Sequence, residues 1–253
     1  MKNIAAALVF FTRLPFWRLK AFNVRPDYFK QVINHWAVVG WLTSVIMVGV
    51  LWSAAHILPY SIAIVLAILS RLLITGALHE DGLADFFDGF GGGNTKERTL
   101  EIMKDSHIGT YGVISLIFYF LLFYLLFDNM NLHLACLAIL AGDPLCKFIA
   151  SQITLFLPYA RTAETSKSKT VYNKMSIGTA IISCIFGLLP LVLLWKFHFW
   201  LAILFPIFVF ILLIFLMRKK IQGYTGDCCG ATFLLCELSF YLGIIILLRI
   251  FNL

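Results

Sequence analysis

Asp81, Asp85 and Asp88 stand at i, i+4 and i+7 in the stretch His79-Glu80-Asp81-Gly82-Leu83-Ala84-Asp85-Phe86-Phe87-Asp88-Gly89. On a helix continuing from the apolar run before it, these carboxylates fall within an arc of about 60° at 100° per residue. His79 and Glu80 point elsewhere. Three like charges on one face repel, and a divalent cation removes the repulsion. Oxygen-only ligands suit Mg²⁺ or Mn²⁺ better than zinc, and Mg²⁺ usually combines a few carboxylates with waters and substrate phosphates. Gly89 and then Gly91-Gly92-Gly93 are expected to end the helix and offer backbone amides to an anion. The plainer alternative is a solvated acidic turn or a Ca²⁺ loop without catalysis. Only 13% of the chain is charged. Carboxylates at an apolar boundary are costly without a cationic partner, and that favours a site.

Two further clusters follow. Arg98, Glu101 and Asp105 share a helical face ahead of Ser106-His107-Ile108-Gly109. Ion pairs within one amphipathic helix would explain Arg98 and Lys104; so would a grip on phosphates, with Asp105 joining the metal site or acting as a base. His107 is either a phosphate donor or base, or an exposed group near a helix end. Gly223-Tyr224-Thr225-Gly226-Asp227 enters the last apolar run, and there Asp227 is a default helix N-cap or a partner for a cation. Glu237 lies inside that run, where a carboxylate is by default a functional candidate facing an internal cavity. Asp143 and Lys147 are spaced to pair with each other, and Arg71 needs an internal partner such as Asp143 or Glu237.

These residues must be held by membrane helices. The chain is 61% hydrophobic with 24 Phe, and most long apolar runs are apolar all round. About 20 such residues cross a bilayer. Spans are expected near 36–57, 61–78, 110–127, 133–156, 177–195, 200–217 and 231–251. The fold class is therefore all-α, a polytopic bundle of about seven transmembrane helices, with residues 1–253 as one catalytic membrane domain. Residues 3–17 are too short and broken for a span and are expected to form an interfacial or re-entrant helix. They do not resemble a cleavable signal.

Charge sets the orientation. Residues 1–35 carry Lys2, Arg13, Arg18, Lys20, Arg25 and Lys30. The loops 79–109, 157–176 and 218–230 hold Lys96, Arg98, Lys104, Arg161, Lys167, Lys169, Lys174, Arg218, Lys219 and Lys220. The opposite loops hold only Lys196. Positive-inside bias puts the acidic loop on the cytoplasmic side of the inner membrane. The net charge of +7 then reflects the bilayer and its anionic headgroups, and no basic-aromatic cluster suggests nucleic acid. The six Cys lack metal-ligand spacing and receive no role.

Taken in order, the clusters resemble the cobalamin synthase family, the adenosylcobinamide-GDP ribazoletransferases. Phe11-Thr12-Arg13-Leu14-Pro15 looks like its opening, and His79 to Asp85 with Asp88-Gly89 its acidic signature. Leu100 to Ser106 with Gly109 resembles its second block, and Thr225-Gly226-Asp227 with Gly230-Ala231 its third. Glu80, His107, Lys147 and Leu234 depart from the family's usual residues.

The resemblance implies that α-ribazole, or its 5′-phosphate, attacks adenosylcobinamide-GDP and that GMP leaves. It implies Mg²⁺ on Asp81, Asp85 and Asp88, with Asp105 as further ligand or base. Arg98, Lys104, His107 and Lys147 would face phosphates, and Asp227 and Glu237 would close the site or meet the ribazole. Homo-oligomers or other membrane enzymes of the pathway are candidate partners. A CDP-alcohol phosphotransferase matches Asp85-Phe86-Phe87-Asp88-Gly89 but lacks the rest of its motif. A cation- or proton-coupled transporter would use Arg71, Asp143, Lys147 and Glu237 as a relay.

Overall fold

The computed structural model describes residues 2–161, 172 and 175–251. Helices dominate, and no strand forms among the described residues beyond an isolated bridge of Tyr159 with Tyr224. Spanning length and apolarity are reached by α2 (Trp36–Ala55) with its 3₁₀ lead-in Pro26–His35, and by α6 (Thr110–Asp128). They are also reached by α7 (Leu132–Ser151) with α8 (Ile153–Phe156), and by α9 (Ile177–Leu188), which runs on into a 3₁₀ segment. The last two are α10 (Leu204–Ile221), with a 3₁₀ segment before it, and α11 (Gly226–Phe251).

The expected second span is instead a bent pair. Helix α3 (Tyr60–Thr75) and helix α4 (Leu78–Gly92) meet at 89°, so the seven spans hold if this pair counts as one. Gly76 and Ala77 both take left-handed backbone conformations, at φ 64° and 54°. Glycine does so freely; for Ala77 it costs about 1–2 kcal/mol. The acidic helix is therefore not a continuation of α3, as its apolar lead-in suggests, but a separate helix turned across the bundle.

The N-terminal segment buttresses that bend. Helix α1 (Lys2–Phe11) has ten residues, too few to span, and buries Ala6, Ala7 and Phe11. Beyond it, the Arg13 amide donates to the Ile74 carbonyl at 2.6 Å, and its side chain lies against Gly76.

Helix α7 is the most enclosed span, with Ala135, Ala138, Ala141 and Ala150 fully buried. Pro144 packs against Gly40 of α2 so tightly that a Cβ on Gly40 would stand 2.6 Å from the Pro144 Cα. By contrast α6, α9 and α10 expose Phe118, Ile181, Phe208 and Phe215. An apolar exterior of this kind is a lipid-facing surface, and the chain is a multi-pass membrane protein.

The basic loops gather at one end. Helix α5 (Lys96–Ile102) follows α4, and the Leu100 carbonyl accepts from Arg161 at 2.8 Å. Lys96 donates to Gln222 at 3.3 Å, and Lys220 to the Phe90 carbonyl. The Tyr224 amide donates to Pro158, and the Ala160 amide to Tyr224. The charge asymmetry thus corresponds to a physical cluster of loops; Lys167, Lys169 and Lys174 lie outside the described residues.

Candidate active site

The glycines of the acidic stretch set how α4 meets its neighbours. A Cβ on Gly82 would stand 3.0 Å from the Asp227 carbonyl oxygen, and one on Gly230 would stand 3.1 Å from that of His79. The two helices cross backbone against backbone, which brings the α4 acids to the start of α11. A cavity of about 360 Å³ opens at this crossing. Its polar lining includes the charged Arg13, Asp81, Arg161 and Asp227 beside Thr12, Thr75, Tyr159 and Tyr172; its apolar lining includes Val9, Phe10, Phe11, Ile33, Trp36 and Leu78.

Asp227 is not the helix cap. Thr225 fills that place, its hydroxyl accepting from the Cys228 amide at 3.3 Å and donating to Asp227 at 3.3 Å. The half-buried Asp227 side chain belongs to the cavity wall.

A second, more open cavity of about 700 Å³ is lined by Asp88, Arg98, Lys104, Asp105, His107 and Tyr111, among others. Buried Asp88 accepts from the amides of Gly109 at 2.7 Å and Gly112 at 2.8 Å, so it caps α6. Thr95 caps α5 through the Arg98 amide, and the Arg98 guanidinium pairs with Glu101 at 2.7 Å in solvent. Exposed Asp105 accepts from the His107 amide at 3.0 Å and meets its ring nitrogen at 2.7 Å. These hydrogen bonds, the side-chain one foremost, hold the Asp105 carboxyl below its ordinary range.

The glycines expected to form an anion nest do not do so. Helix α4 continues through Gly92, and Gly93 donates back to Gly89. Gly89 and Gly93 admit Met103 and Thr99, and Gly91 packs on the Tyr111 ring. They are contact points for α5 and α6.

Lys147 and Glu237 line neither cavity. Lys147 pairs with Asp143 and donates to Thr43 at 2.7 Å, while Thr43 donates to Asp143 at 2.7 Å. Glu237 accepts from Arg71 at 2.6 Å and Tyr241 at 2.9 Å. Arg71 also donates to Tyr119 at 2.5 Å and stands 3.6 Å from Glu80. Phe233 sits between the two groups, its ring centroid 4.7 Å from Lys147 and 5.9 Å from Arg71. Its other neighbours are His79 at 5.1 Å and Trp36 at 5.5 Å, so the buried charges lie behind the first cavity's aromatic floor.

Asp81 and Asp88 open into different cavities, about 10 Å apart along α4 at 1.5 Å per residue, with Asp85 between them. Among the described residues no three His, Cys, Asp or Glu side chains are grouped to hold a metal ion. Mg²⁺ rarely requires such a cage: one or two carboxylates suffice when waters and phosphates complete the shell. Asp81 and Asp227 on the wall of one cavity fit that form.

The sequence marks Arg161 only by topology, and Arg13 by topology and its place in Phe11-Thr12-Arg13-Leu14-Pro15; neither is a site residue on that reading, and the structure brings both to the first cavity.

A family model described as cobalamin-5-phosphate synthase matches residues 3–245. The chain belongs to the cobalamin-5-phosphate synthase family. It is 40% identical over 246 residues to the adenosylcobinamide-GDP ribazoletransferase of Shewanella frigidimarina (strain NCIMB 400), covering 94% of this chain and 92% of that one. The enzymes of the same name from Shewanella sp. (strain W3-18-1) and Shewanella oneidensis are 37% and 34% identical, over 95% and 93% of this chain and 92% and 90% of theirs. No solved structure matches. The cobalamin-5-phosphate synthase match takes in α1, the α4 acids and the α11 entry, and so both cavities. It sets aside the CDP-alcohol phosphotransferase and transporter readings.

Proposed function

We propose that this chain is an adenosylcobinamide-GDP ribazoletransferase, which performs the last nucleotide-loop assembly step of cobalamin synthesis at the α4–α11 crossing. Family membership and the relatives' shared name support the reaction. The observation that carries the location is the shared wall of the first cavity, where Asp81 and Asp227 meet Arg13 and Arg161.

In this reading a ribose hydroxyl oxygen of ribazole other than the 5′, which ribazole and its 5′-phosphate share, bonds to the phosphorus that bears cobinamide, and the bond from that phosphorus to GMP breaks. Asp227 accepts the attacking hydroxyl's hydrogen bond and takes its proton. Arg13 and Arg161 orient phosphate oxygens at the cavity mouth. Arg98, Lys104 and His107 hold the departing GMP phosphate over the second cavity, with Asp105 fixing the His107 ring. Asp88 sets the loop that carries them. Mg²⁺ (or Mn²⁺), held by Asp81 with waters and substrate phosphates completing its shell, would offset the charge that builds on the pyrophosphate. Lys147, and Glu237 through Arg71, act from behind by fixing Phe233. The loop end faces the cytoplasm of an inner membrane, as its Lys and Arg bias argues.

The test is GMP release from adenosylcobinamide-GDP and α-ribazole by the full chain in liposomes, with and without Mg²⁺. Mg²⁺-dependent release is expected, falling at least a hundredfold in Asp81→Asn and in Asp227→Asn. Folded wild-type protein that releases no GMP under varied lipid and metal conditions overturns the reading.

A further inference from the structure

Arg161 lines the first cavity and not the second, yet its Nη2 donates to the Leu100 carbonyl of α5 at 2.8 Å. Arg98, Glu101 and Ile102 of that helix line the second cavity. The bond meets a local need. At the end of α5 the Met103 amide donates to Thr99, Lys104 to Glu101, and Asp105 to Glu101 and Ile102, all between 3.0 and 3.2 Å. These bonds skip the Leu100 carbonyl, and Arg161 takes it instead, a cation at the negative end of the helix. Thr95 caps the other end. Seven residues are too few to hold a helix alone, so α5 depends on such outside contacts.

Arg161 is in turn fixed from the side of the first cavity. The Ala160 amide donates to the Tyr224 carbonyl at 2.8 Å, and the Tyr224 amide to Pro158 at 3.0 Å. The Tyr159 ring meets that of buried Tyr224 edge-on at 5.3 Å. Tyr224 leads directly into α11 and Asp227. A run of backbone and side-chain hydrogen bonds therefore joins the α11 entry, through Arg161, to α5.

We infer that Arg161 is a positioning residue for the second cavity: it sets α5, and with it Arg98, relative to the reacting end of the first. The inference rests on the ribazoletransferase reading above. One nitrogen of the guanidinium holds Leu100, and the fork keeps further N–H groups for the phosphates that this reading gives it. The link then fixes the distance between the phosphorus under attack and the seat of the departing GMP. Displacement at phosphorus depends on that alignment, because its catalysis is mostly positioning and charge.

The test uses the full chain in liposomes, with two readouts: the constant for GMP as product inhibitor, and hydrogen exchange at the Met103 and Asp105 amides. Arg161→Met keeps the apolar stem and removes every N–H. It should raise the GMP constant about tenfold, as the loss of a hydrogen bond to a charged group does, and speed the exchange. Arg98→Ala should raise the constant similarly, and the double variant should be no worse than Arg98→Ala, because a displaced Arg98 has nothing left to lose. Arg13 lines the same cavity as Arg161 but is tied to the end of α3. Arg13→Ala should therefore lower turnover yet leave the GMP constant within twofold. Arg161→Lys can still meet the carbonyl, so it should restore the constant and the exchange while turnover stays low, since one ammonium cannot hold carbonyl and phosphate together. That split also decides the matter should Arg161→Met fail to fold.

A GMP constant unmoved in Arg161→Met, independent effects of Arg161→Met and Arg98→Ala, or an equal rise in Arg13→Ala overturns the inference. So does an Arg161→Lys variant whose GMP constant worsens in step with its turnover. Wild type that releases no GMP overturns the reaction instead, and exchange then decides the link: faster in Arg161→Met than in Arg13→Ala upholds it, and equal exchange overturns it.

Discussion

Gly82 and Asp227 meet with no side chain between them: a Cβ on Gly82 would lie 3.0 Å from the Asp227 carbonyl oxygen and 3.1 Å from its Cα. Backbone cannot swing aside as a flexible side chain does, so α4 and α11 would have to separate by tenths of an ångström. Gly82→Ala is therefore expected to lower kcat about tenfold, since displacement on this scale is costly in a preorganised site. The control is Gly49→Ala, where nothing lies within 4 Å. Equal activities for the two variants in the GMP-release assay would remove the crossing from the mechanism.

How much of this was legible in the sequence follows from how far each signal travels along the chain. The spans are legible because each is a local run of apolar residues, and the α4 acids because their spacing is local too. The bend at Gly76–Ala77 is not, since Ile74, Ala77 and Leu78 read as one continuing apolar helix and Ala77 announces no left-handed turn. Asp88 caps amides 21 and 24 residues away, which tertiary packing alone brings near. Asp227 looked like the cap because acidic residues favour helix starts, yet Thr225, two residues earlier, does the capping. Arg161 reaches the first cavity by crossing to the Leu100 carbonyl, a contact no local pattern encodes.

Asp88 offers the simplest check on a structural role. Its carboxylate satisfies two of the orphan amides at the start of α6. Asp88→Ala should cost about 0.5–2 kcal/mol of stability and speed hydrogen exchange at Gly109 and Gly112. Exchange unchanged at those amides would contradict the cap.

Asp105 supports a pH prediction with a definite sign. Hydrogen bonds from His107 lower its carboxyl pKa, so the charged, paired form is present above the ordinary aspartate value and is lost only as pH falls through the lowered one. If charged Asp105 orients the site, the acid limb of the kcat/KM profile reflects that lowered value in wild type. His107→Ala should move the limb upward, toward the ordinary carboxylate range. A limb that stays in place, or moves down, separates Asp105 from the rate.

The buried cluster behind the cavity gives the last expectation. Arg71 bonds Glu237 and Tyr119 and stands 3.6 Å from Glu80, with both carboxylates nearly inaccessible. Removing one member strands a charge in a medium of low dielectric, at a cost of about 3–5 kcal/mol, whereas replacing the pair with apolar groups of similar volume is often neutral. Arg71→Met and Glu237→Leu should each lower the thermal midpoint in detergent markedly. The double variant should recover part of the loss, because only Glu80 then lacks its charged neighbour. Activity separates packing from chemistry here, since neither residue lines a cavity. The recovered double variant should regain GMP release in step with its stability. A double variant as stable as wild type yet inactive would place Arg71 or Glu237 in the reaction itself.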